Sequence, residues 1–327
     1  MIFYATVLRT LAACLITNSH YGAVYPSDIF AQGGLIGDIL FFAISGFCLV
    51  NIKTNFFKWY GKRLLRCYLP VIVITIIYMI IGFYRMSDHN FFWWFCYPTY
   101  YHFISSIILL YIPYYFVLKI DKLRQRIPLI MLIIGIAYLI VYIFFFDKSF
   151  YHIDVVEHWM IRFLFFESML LGAYFRINDS KFRNKISVKK IIAFIVSLIV
   201  YFASKFYFSK FSMFQEFQLL TQITIFVLLF CTFSLFSSID SKLQKMPNIL
   251  NKIIKFLAEI TLEIYLVQHG IIYYIQELGL AFPLNWIVIT LIILIAAFVL
   301  HYIIKWIMKG IKFVYSKLLK IKKNLSN

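Results

Sequence analysis

Charged side chains are scarce in this chain. They account for 14% of the 327 residues, whereas 63% are hydrophobic and the mean hydropathy is +0.85. A soluble domain is about half apolar and a quarter charged, so this composition excludes an ordinary soluble domain and indicates a membrane protein. Acidic residues are scarcer than basic ones, since the chain has 14 Asp and Glu and 32 Lys and Arg.

Metal-binding cysteine patterns are also lacking. The five cysteines are scattered, with no CxxC spacing and no Cys/His metal pattern. We interpret them as small buried hydrophobic residues, and we expect no metal site. Their positions are Cys14, Cys48, Cys67, Cys96 and Cys231.

Linkers rich in glycine or serine and internal repeats are missing too, which favours a single membrane domain. Residues 11–14 superficially resemble a lipoprotein cleavage site, but Arg9 stands directly before them and no long apolar core precedes them. A cleaved signal needs such a core, so we expect the first helix to be retained.

Long apolar runs, in contrast, are abundant. Each is close to the roughly 20 residues that an α-helix needs to cross a bilayer. The sequence therefore predicts an all-α fold, a polytopic membrane bundle of about ten transmembrane helices. The runs cover residues 2–19, 34–52, 67–84, 101–118, 127–146, 160–176, 191–208, 217–237, 256–275 and 286–304.

Basic residues concentrate in every second connection between these runs. Five segments, the last of them the tail, hold 26 of the 32 Lys and Arg residues. The positive-inside rule expects this bias of a cytoplasmic face, so we predict that both termini are cytoplasmic and that the net charge of +18 reflects topology rather than nucleic-acid binding. We divide the chain into a transmembrane domain, 1–304, and a basic cytoplasmic tail, 305–327.

Polar residues inside the runs are few, so each one is informative. Arg9 lies in the first run, and a charge inside a membrane span marks a candidate functional site. His20 follows 11 positions later, about three helical turns, so both side chains share one face roughly 16 Å apart. An imidazole suits general-base chemistry near neutral pH, although a lone histidine at a helix end is more often a satisfied interfacial residue.

Carboxylates occur in the sixth and ninth runs, as Glu167 and Glu263. In one interpretation they only neutralise Arg9 or Arg162, since charges inside membranes usually pair. Glu259 lies four residues before Glu263, and we expect both on one face of the ninth helix.

Arg63 and Arg66 precede the third run at i, i+3 spacing. If a helix begins there, both guanidinium groups share one face and form a fork suited to phosphates. Ordinary topogenic charge explains the pair equally well at this stage.

Four motifs together resemble the acyltransferase-3 superfamily, a family of integral membrane O-acyltransferases. They are Arg9-x10-His20, then Gly37-Asp-Ile-Leu-Phe-Phe-Ala-Ile-Ser45-Gly46-Phe47, then Arg63-Leu-Leu-Arg66 with Pro70, and finally Leu257-Ala-Glu-Ile-Thr261-Leu-Glu-Ile-Tyr265-Leu-Val-Gln268. Many members acetylate bacterial surface polysaccharides. The resemblance implies transfer of an acyl group, with acetyl expected, from cytoplasmic acyl-CoA to a hydroxyl of a cell-surface or lipid-linked glycan.

The resemblance also implies roles for individual residues. His20 would be the catalytic histidine, and Arg9 its partner along the donor path. Arg63 and Arg66 would lie near the phosphates of the acyl-CoA, and Ser45 with Gly46 would be structural. Supporting positions would be Ser45, Glu167, Glu263, Tyr265 and Gln268.

One departure from the family concerns the last motif. Many members have a histidine where this chain has Gln268, and His269 is shifted by one residue, about 100° round the helix. An amide can hydrogen-bond but cannot titrate, which leaves the role of a second histidine in doubt.

The resemblance further implies a bacterial inner (plasma) membrane protein with no permanently bound cofactor. Its partners would be acyl-CoA, a polysaccharide or lipid-linked glycan acceptor, and the lipid bilayer. The pantetheine arm of CoA is similar in length to the Arg9–His20 span. We also expect no appended extracytoplasmic hydrolase-like domain, so the membrane domain acts alone or hands the acyl group to another protein.

Two other functions compete with this one. A secondary transporter or lipid-linked-sugar flippase could use the buried Arg/Glu/His network as its substrate and proton path. That class is typically built from inverted repeats with Gly/Pro-interrupted helices, and here Pro113 and Gly135 are isolated. A purely structural or sensory membrane protein is favoured only if all the buried charges pair.

Overall fold

The computed structural model describes residues 2–96, 101–276 and 279–325 of the chain, and within these ranges it is all helical, with no strand. Residues 326 and 327 of the predicted tail lie outside the described residues. The α-helices are α1 (Tyr4–Ser19), α2 (Gly34–Leu49), α3 (Phe56–Ile80), α4 (Phe91–Phe95), α5 (His102–Lys119), α6 (Asp121–Arg124), α7 (Ile127–Phe145), α8 (Ile161–Ile177), α9 (Asp179–Phe182), α10 (Val188–Lys210), α11 (Leu219–Ser238), α12 (Asp240–Gln244), α13 (Asn248–Glu259), α14 (Thr261–Gln276) and α15 (Leu284–Leu325).

Each of the ten apolar runs contains a long helix, and the all-helical prediction is confirmed. Among the described residues, seven helical segments are long and apolar enough to cross a membrane; they are 28–49, 56–80, 102–119, 127–145, 188–210, 219–238 and 284–313. The other three long helices, α1, α8 and α14, have 16, 17 and 16 residues. The count of ten spans and the cytoplasmic position of both termini stay predictions.

Helix α2 forms the centre of the bundle, because it packs against α1 on one side and α8 on the other. Glycines permit this close approach. A Cβ atom at Gly46 would overlap the carbonyl oxygen of Met169, and one at Gly172 would overlap that of Ala43. Small residues let helix backbones approach closely inside membranes, and Gly46 and Gly172 do so between α2 and α8.

The remaining helices surround this centre. Helices α5 and α11 pack against α2 and α8, whereas α7 and α10 lie at the periphery and leave most of their apolar side chains exposed. Outward-facing apolar side chains on helices of spanning length suit contact with lipid tails.

Three helix boundaries differ from the sequence interpretation. Helix α3 begins at Phe56, well before the run at 67, because the amphipathic segment with Arg63 and Arg66 continues the helix. The ninth run is divided at Ile260, so Glu259 ends α13 and Glu263 lies in α14, which corrects the expectation that both share one helix face. Helix α15 continues through 304 to Leu325 without a break, and the division into two domains stays a prediction.

Candidate functional site

Helix α1 carries Arg9 near its beginning, and His20 caps its C-terminal end. The structure places the two side chains in different cavities, one at each end of this helix. Their separation along α1 follows the sequence expectation, since 11 residues rise roughly 16 Å in a helix. The helix is fixed at its start by Asp240, which accepts hydrogen bonds from the backbone N–H groups of Phe3 and Tyr4.

The first cavity, which we call the inner cavity, has a volume of about 850 Å³ and contains Arg9. Its wall also includes Arg176 from the last turn of α8, Arg183 after α9 and Lys255 from α13. The carboxylates in the wall are Asp179 and Glu259. Basic side chains from four separate segments thus surround one space, an arrangement suited to a multiply charged anion.

Both carboxylates of the inner cavity have cationic partners. Asp179 Oδ2 lies 3.2 Å from Arg183 Nε, and Glu259 Oε1 accepts a hydrogen bond of 2.9 Å from Lys305 Nζ. The Lys305 ammonium lowers the pKa of the Glu259 carboxyl, so Glu259 stays ionised at neutral pH.

The second cavity, which we call the outer cavity, has a volume of about 540 Å³ and contains His20. Its wall includes His269, Gln268 and Tyr265 from α14 and Asp38 from α2. The structure therefore brings His20, His269, Tyr265 and Gln268 to one space, even though the last motif departs from the family pattern. Sequence reasoning left the second histidine in doubt because of the one-residue shift, yet His269 and Gln268 both line the wall.

A small apolar void, which we call the junction, lies beside α1 between the positions of Arg9 and His20. It encloses only about 10 Å³, and its lining includes Ala13, Ile16, Phe41, Phe103 and Tyr265. The Phe41 and Phe103 rings meet edge to face at 5.1 Å, and the Phe103 ring lies 5.5 Å from that of Tyr265. About one water-sized sphere fills such a space, and Ile16, Phe103 and Tyr265 line both the junction and the outer cavity.

A loop after α7 completes the outer wall with Asp154 and Glu157. The side chain of Gln218 holds this loop: its Oε1 accepts from the backbone N–H of His152 and of Ile153, both at 2.9 Å. Lys205 of α10 forms an ion pair of 2.9 Å with Asp154. A fully buried amide in an apolar run could have been noticed in the sequence, but its partners, more than sixty residues away, could not.

Helix α14 is fixed to α3 by Tyr78, whose hydroxyl donates to the backbone carbonyls of Leu266 and Val267, at 3.1 and 2.8 Å. Gln268 is 1% exposed, and its Oε1 has no hydrogen-bond partner among the described residues. A buried amide oxygen without a partner can accept a hydrogen bond from a hydroxyl that reaches it.

The predicted phosphate-binding pair, Arg63 and Arg66 of α3, is not part of the lining of the inner cavity, although Arg66 is close enough to Arg9 to interact with it electrostatically. The guanidinium of Arg63 stacks over Trp59 at 5.4 Å, and Arg66 is exposed. Their role in donor binding stays a prediction.

Three further candidates, Ser45, Glu167 and Glu263, lie outside the lining of both cavities. The Ser45 hydroxyl lies 3.2 Å from that of Tyr111, and Glu263 Oε1 lies 2.8 Å from His301 Nδ1. Glu167 is buried on α8 beside Gly135 of α7.

Direct ion pairs to the buried arginines are missing among the described residues, although Glu263 is close enough to Arg9 to interact with it electrostatically. Arg162 Nε donates to Ser106 Oγ at 3.3 Å, and Glu263 contacts His301 rather than an arginine. Within residues 2–96, 101–276 and 279–325, no ion pair joins Arg9 or Arg162 to a carboxylate.

Sequence reasoning missed Arg176 and Lys255 as wall residues of the inner cavity, and it gave no role to Asp38, a polar residue inside the second run that lines the outer cavity. The two basic residues belong to segments interpreted as topogenic charge, and charge in a loop carries no information about which side chains turn inward. Asp38 stands next to Gly37 inside the second motif, and this was the signal available for it.

A comparison of the sequence with known protein families identifies the family of this chain. The family model of an acyltransferase domain, acyltransferase-3, matches residues 2–306. No curated protein and no solved structure shows significant similarity to the chain. The match covers almost the whole sequence and every residue named above for the two cavities, so the chain belongs to the acyltransferase-3 family and is a membrane acyltransferase.

Proposed function

We propose that this protein is an O-acyltransferase of the bacterial inner membrane. It moves an acyl group, acetyl, from acyl-CoA in the inner cavity to a hydroxyl of a cell-surface or lipid-linked glycan in the outer cavity. Acyl-CoA is a substrate in this scheme and not a permanently bound cofactor.

One observation carries the proposal: α1 presents Arg9 to a basic cavity at one end and His20 to a second cavity at the other. An anionic donor and a hydroxyl acceptor can therefore approach the same helix from opposite sides. The pantetheine arm of the donor spans a distance similar to the roughly 16 Å between the two positions.

The acceptor side supplies the groups that a sugar needs. The wall of the outer cavity combines the imidazoles of His20 and His269 with Gln268, whose Oε1 has no hydrogen-bond partner in the described part of the chain. Carboxylates are also present, as Asp38, Asp154 and Glu157, and Asp154 is paired with Lys205. Such a surface favours hydroxyl donors and disfavours anions, which fits an uncharged sugar.

The chemical step is a single acyl transfer. His20 removes the proton of the acceptor hydroxyl as its oxygen attacks the thioester carbonyl carbon. The carbon–sulfur bond then breaks, CoA leaves as the thiolate, and the imidazolium returns the proton to give the free thiol and the ester. A positioned general base typically contributes about 10²–10⁴ in rate.

The transporter or flippase alternative receives less support. The family match is to an acyltransferase domain, which speaks for group transfer rather than transport. Release of a thiol from acyl-CoA is required by the enzyme and not by a transporter.

The test uses the purified full-length protein in nanodiscs with radiolabelled acetyl-CoA and a glycolipid or polysaccharide extract. We expect label in the glycan and release of CoA thiol with the wild type. For His20→Ala we expect transfer at least about 100-fold slower, since general-base catalysis is lost.

The matched control is His89→Ala. This imidazole is exposed, stacks on Trp93 at 3.7 Å and lies outside both cavities, so its loss should leave transfer unchanged. Thermal unfolding of both variants checks that they fold. A well-folded His20→Ala protein with near wild-type transfer would contradict the assignment of His20 as the general base.

A further inference from the structure

The inner cavity contains more basic than acidic side chains, and three of the basic ones have no direct ion-pair partner in the described part of the chain. Four basic side chains line it, from α1, α8, the segment after α9 and α13. Arg183 is paired with Asp179, and the other wall carboxylate, Glu259, is paired with Lys305. Arg9, Arg176 and Lys255 have no carboxylate within 4.0 Å among residues 2–96, 101–276 and 279–325.

Two of these three cations are held in place by aromatic rings. The guanidinium carbon of Arg176 lies 5.2 Å from the centre of the Phe47 ring, and Lys255 Nζ lies 5.9 Å from that of Phe3. A cation over a ring face is oriented without using its N–H donors. The donors of Arg176 and Lys255 therefore remain available to a ligand in the cavity.

The chemistry of the three cations selects phosphate. A planar guanidinium binds phosphate oxygens through two parallel hydrogen bonds, and a lysine ammonium adds a compact point charge. Like charges that share a partly enclosed space repel one another, and a polyanion relieves that repulsion. At about 850 Å³ the cavity is within the range of pockets that hold a nucleotide-sized ligand.

We infer that Arg176 and Lys255 bind the phosphate groups of the donor's adenosine 3′,5′-diphosphate portion. The inference rests on the proposed function, in which acyl-CoA is the donor. Lys255 is exposed at the rim on α13, Arg176 is half-buried, and Arg9 is the sixth residue of α1. The phosphates occupy the Arg176–Lys255 side, and the pantetheine arm continues past Arg9 towards the junction.

This assignment differs from the one that the family resemblance implies. Arg63 and Arg66 lie on α3, outside the lining of the inner cavity, and Arg63 is stacked on Trp59. The Arg176–Lys255 pair and the Arg63–Arg66 pair lead to different predictions for the same binding measurement, so one experiment separates the two assignments.

The experiment measures binding of adenosine 3′,5′-diphosphate to the full-length protein in nanodiscs by titration calorimetry. We expect the dissociation constant to rise about tenfold or more for Arg176→Gln and for Lys255→Gln. Lys252→Gln is the matched control on the same helix, since Lys252 is exposed and does not line the cavity. Exposed Arg126 provides the arginine control, Arg126→Gln, and both controls should stay within about twofold of the wild type.

A second readout uses two donors. The KM for acetyl-CoA should rise in Arg176→Gln and Lys255→Gln, whereas the KM for acetyl-pantetheine, which lacks the phosphates, should not change. A variant that was merely misfolded would lose activity with both donors.

The outcomes are distinct. Unchanged binding in both variants, or a loss confined to Arg63→Gln and Arg66→Gln, would overturn the inference. Phosphate-dependent binding that is lost in the two variants, combined with no acyl transfer by the wild type, would support the inference and overturn the proposed function. Acyl transfer from acetyl-CoA by the wild type, with a KM for acetyl-CoA that is unchanged in both variants, would support the proposed function and overturn the inference.

Discussion

The Oδ1 atom of Asp240 lies 2.7 Å from the backbone nitrogen of Tyr4, 236 positions earlier in the chain. The same oxygen accepts from the backbone N–H of Phe3 at 2.9 Å, and Gln244 donates to the other carboxylate oxygen at 2.8 Å. The first N–H groups of a helix lack partners within it, so a buried carboxylate there both satisfies them and complements the helix dipole. The short helix α12 thereby fixes the axial position of the helix that carries Arg9 and His20.

Replacement of Asp240 should therefore destabilise the protein. Asp240→Ala leaves two buried backbone N–H groups without an acceptor, and we expect a cost of about 2 kcal/mol in the free energy of unfolding. Asp240→Asn keeps an acceptor oxygen but loses the charge, so its effect should be smaller. Thermal unfolding in nanodiscs measures both, and equal effects of the two substitutions would contradict the capping role.

The central packing of α2 makes a second prediction. Gly172→Ala and Gly46→Ala each place a methyl group on the carbonyl oxygen of the facing helix, and we expect a loss of at least 1–3 kcal/mol or a failure to fold. Gly61→Ala is the control, because no atom lies within 4 Å of its added Cβ. Alanine is about 1 kcal/mol better than glycine in a helix, so the control should be neutral or slightly stabilising. A folded, wild-type-like Gly172→Ala protein would show that α2 and α8 can separate.

The positions of the long helices along the chain could be predicted from the sequence, because the length of an apolar run is a local property. All ten runs contain a long helix, including α1, α8 and α14, which are shorter than a typical span. The division at Ile260 was not readable, because the run is apolar on both sides of the break. It lets Glu259 and Glu263 approach one imidazole, that of His301, from two different helices.

The site was partly readable for a similar reason. The motifs singled out His20, Tyr265 and Gln268, and the structure places all three at one cavity. Spacing within a helix sets only the face that each residue occupies, so their meeting across α1 and α14 was not predicted. The basic wall of the inner cavity could not be predicted, because Arg176 and Lys255 come together only through tertiary packing of α8 and α13 on the start of α1. Net charge in a loop does not reveal which of its side chains turn inward.

The junction predicts a preference for short acyl chains. Its volume of about 10 Å³ leaves room for little more than a methyl group, and one extra methylene in a tight apolar site costs about 10-fold or more in discrimination. Turnover by the wild type should therefore fall steeply from acetyl-CoA to propionyl-CoA and butyryl-CoA.

Phe103→Leu should flatten this dependence on chain length, because it removes the ring that meets both Phe41 and Tyr265. Phe233→Leu shortens another fully buried ring that does not line the junction, so it should reduce stability without altering the chain-length profile. Equal use of acetyl-CoA and butyryl-CoA by the wild type would show that the junction does not select the acyl chain.

A substitution at Gln268 should affect the binding of the acceptor glycan and the stability of the protein in different ways. Its Oε1 is buried without a hydrogen-bond partner among the described residues, so Gln268→Leu removes an unsatisfied polar group and should leave the unfolding temperature unchanged or higher. If the acceptor glycan donates a hydroxyl to this oxygen, the same substitution should raise the KM for acceptor about tenfold while the KM for acetyl-CoA stays constant. Kinetics with each substrate varied in turn, together with thermal unfolding, measure all three quantities. A stable Gln268→Leu protein with an unchanged KM for acceptor would place the glycan away from Gln268, and a destabilised one would mean that the amide is satisfied in the folded protein.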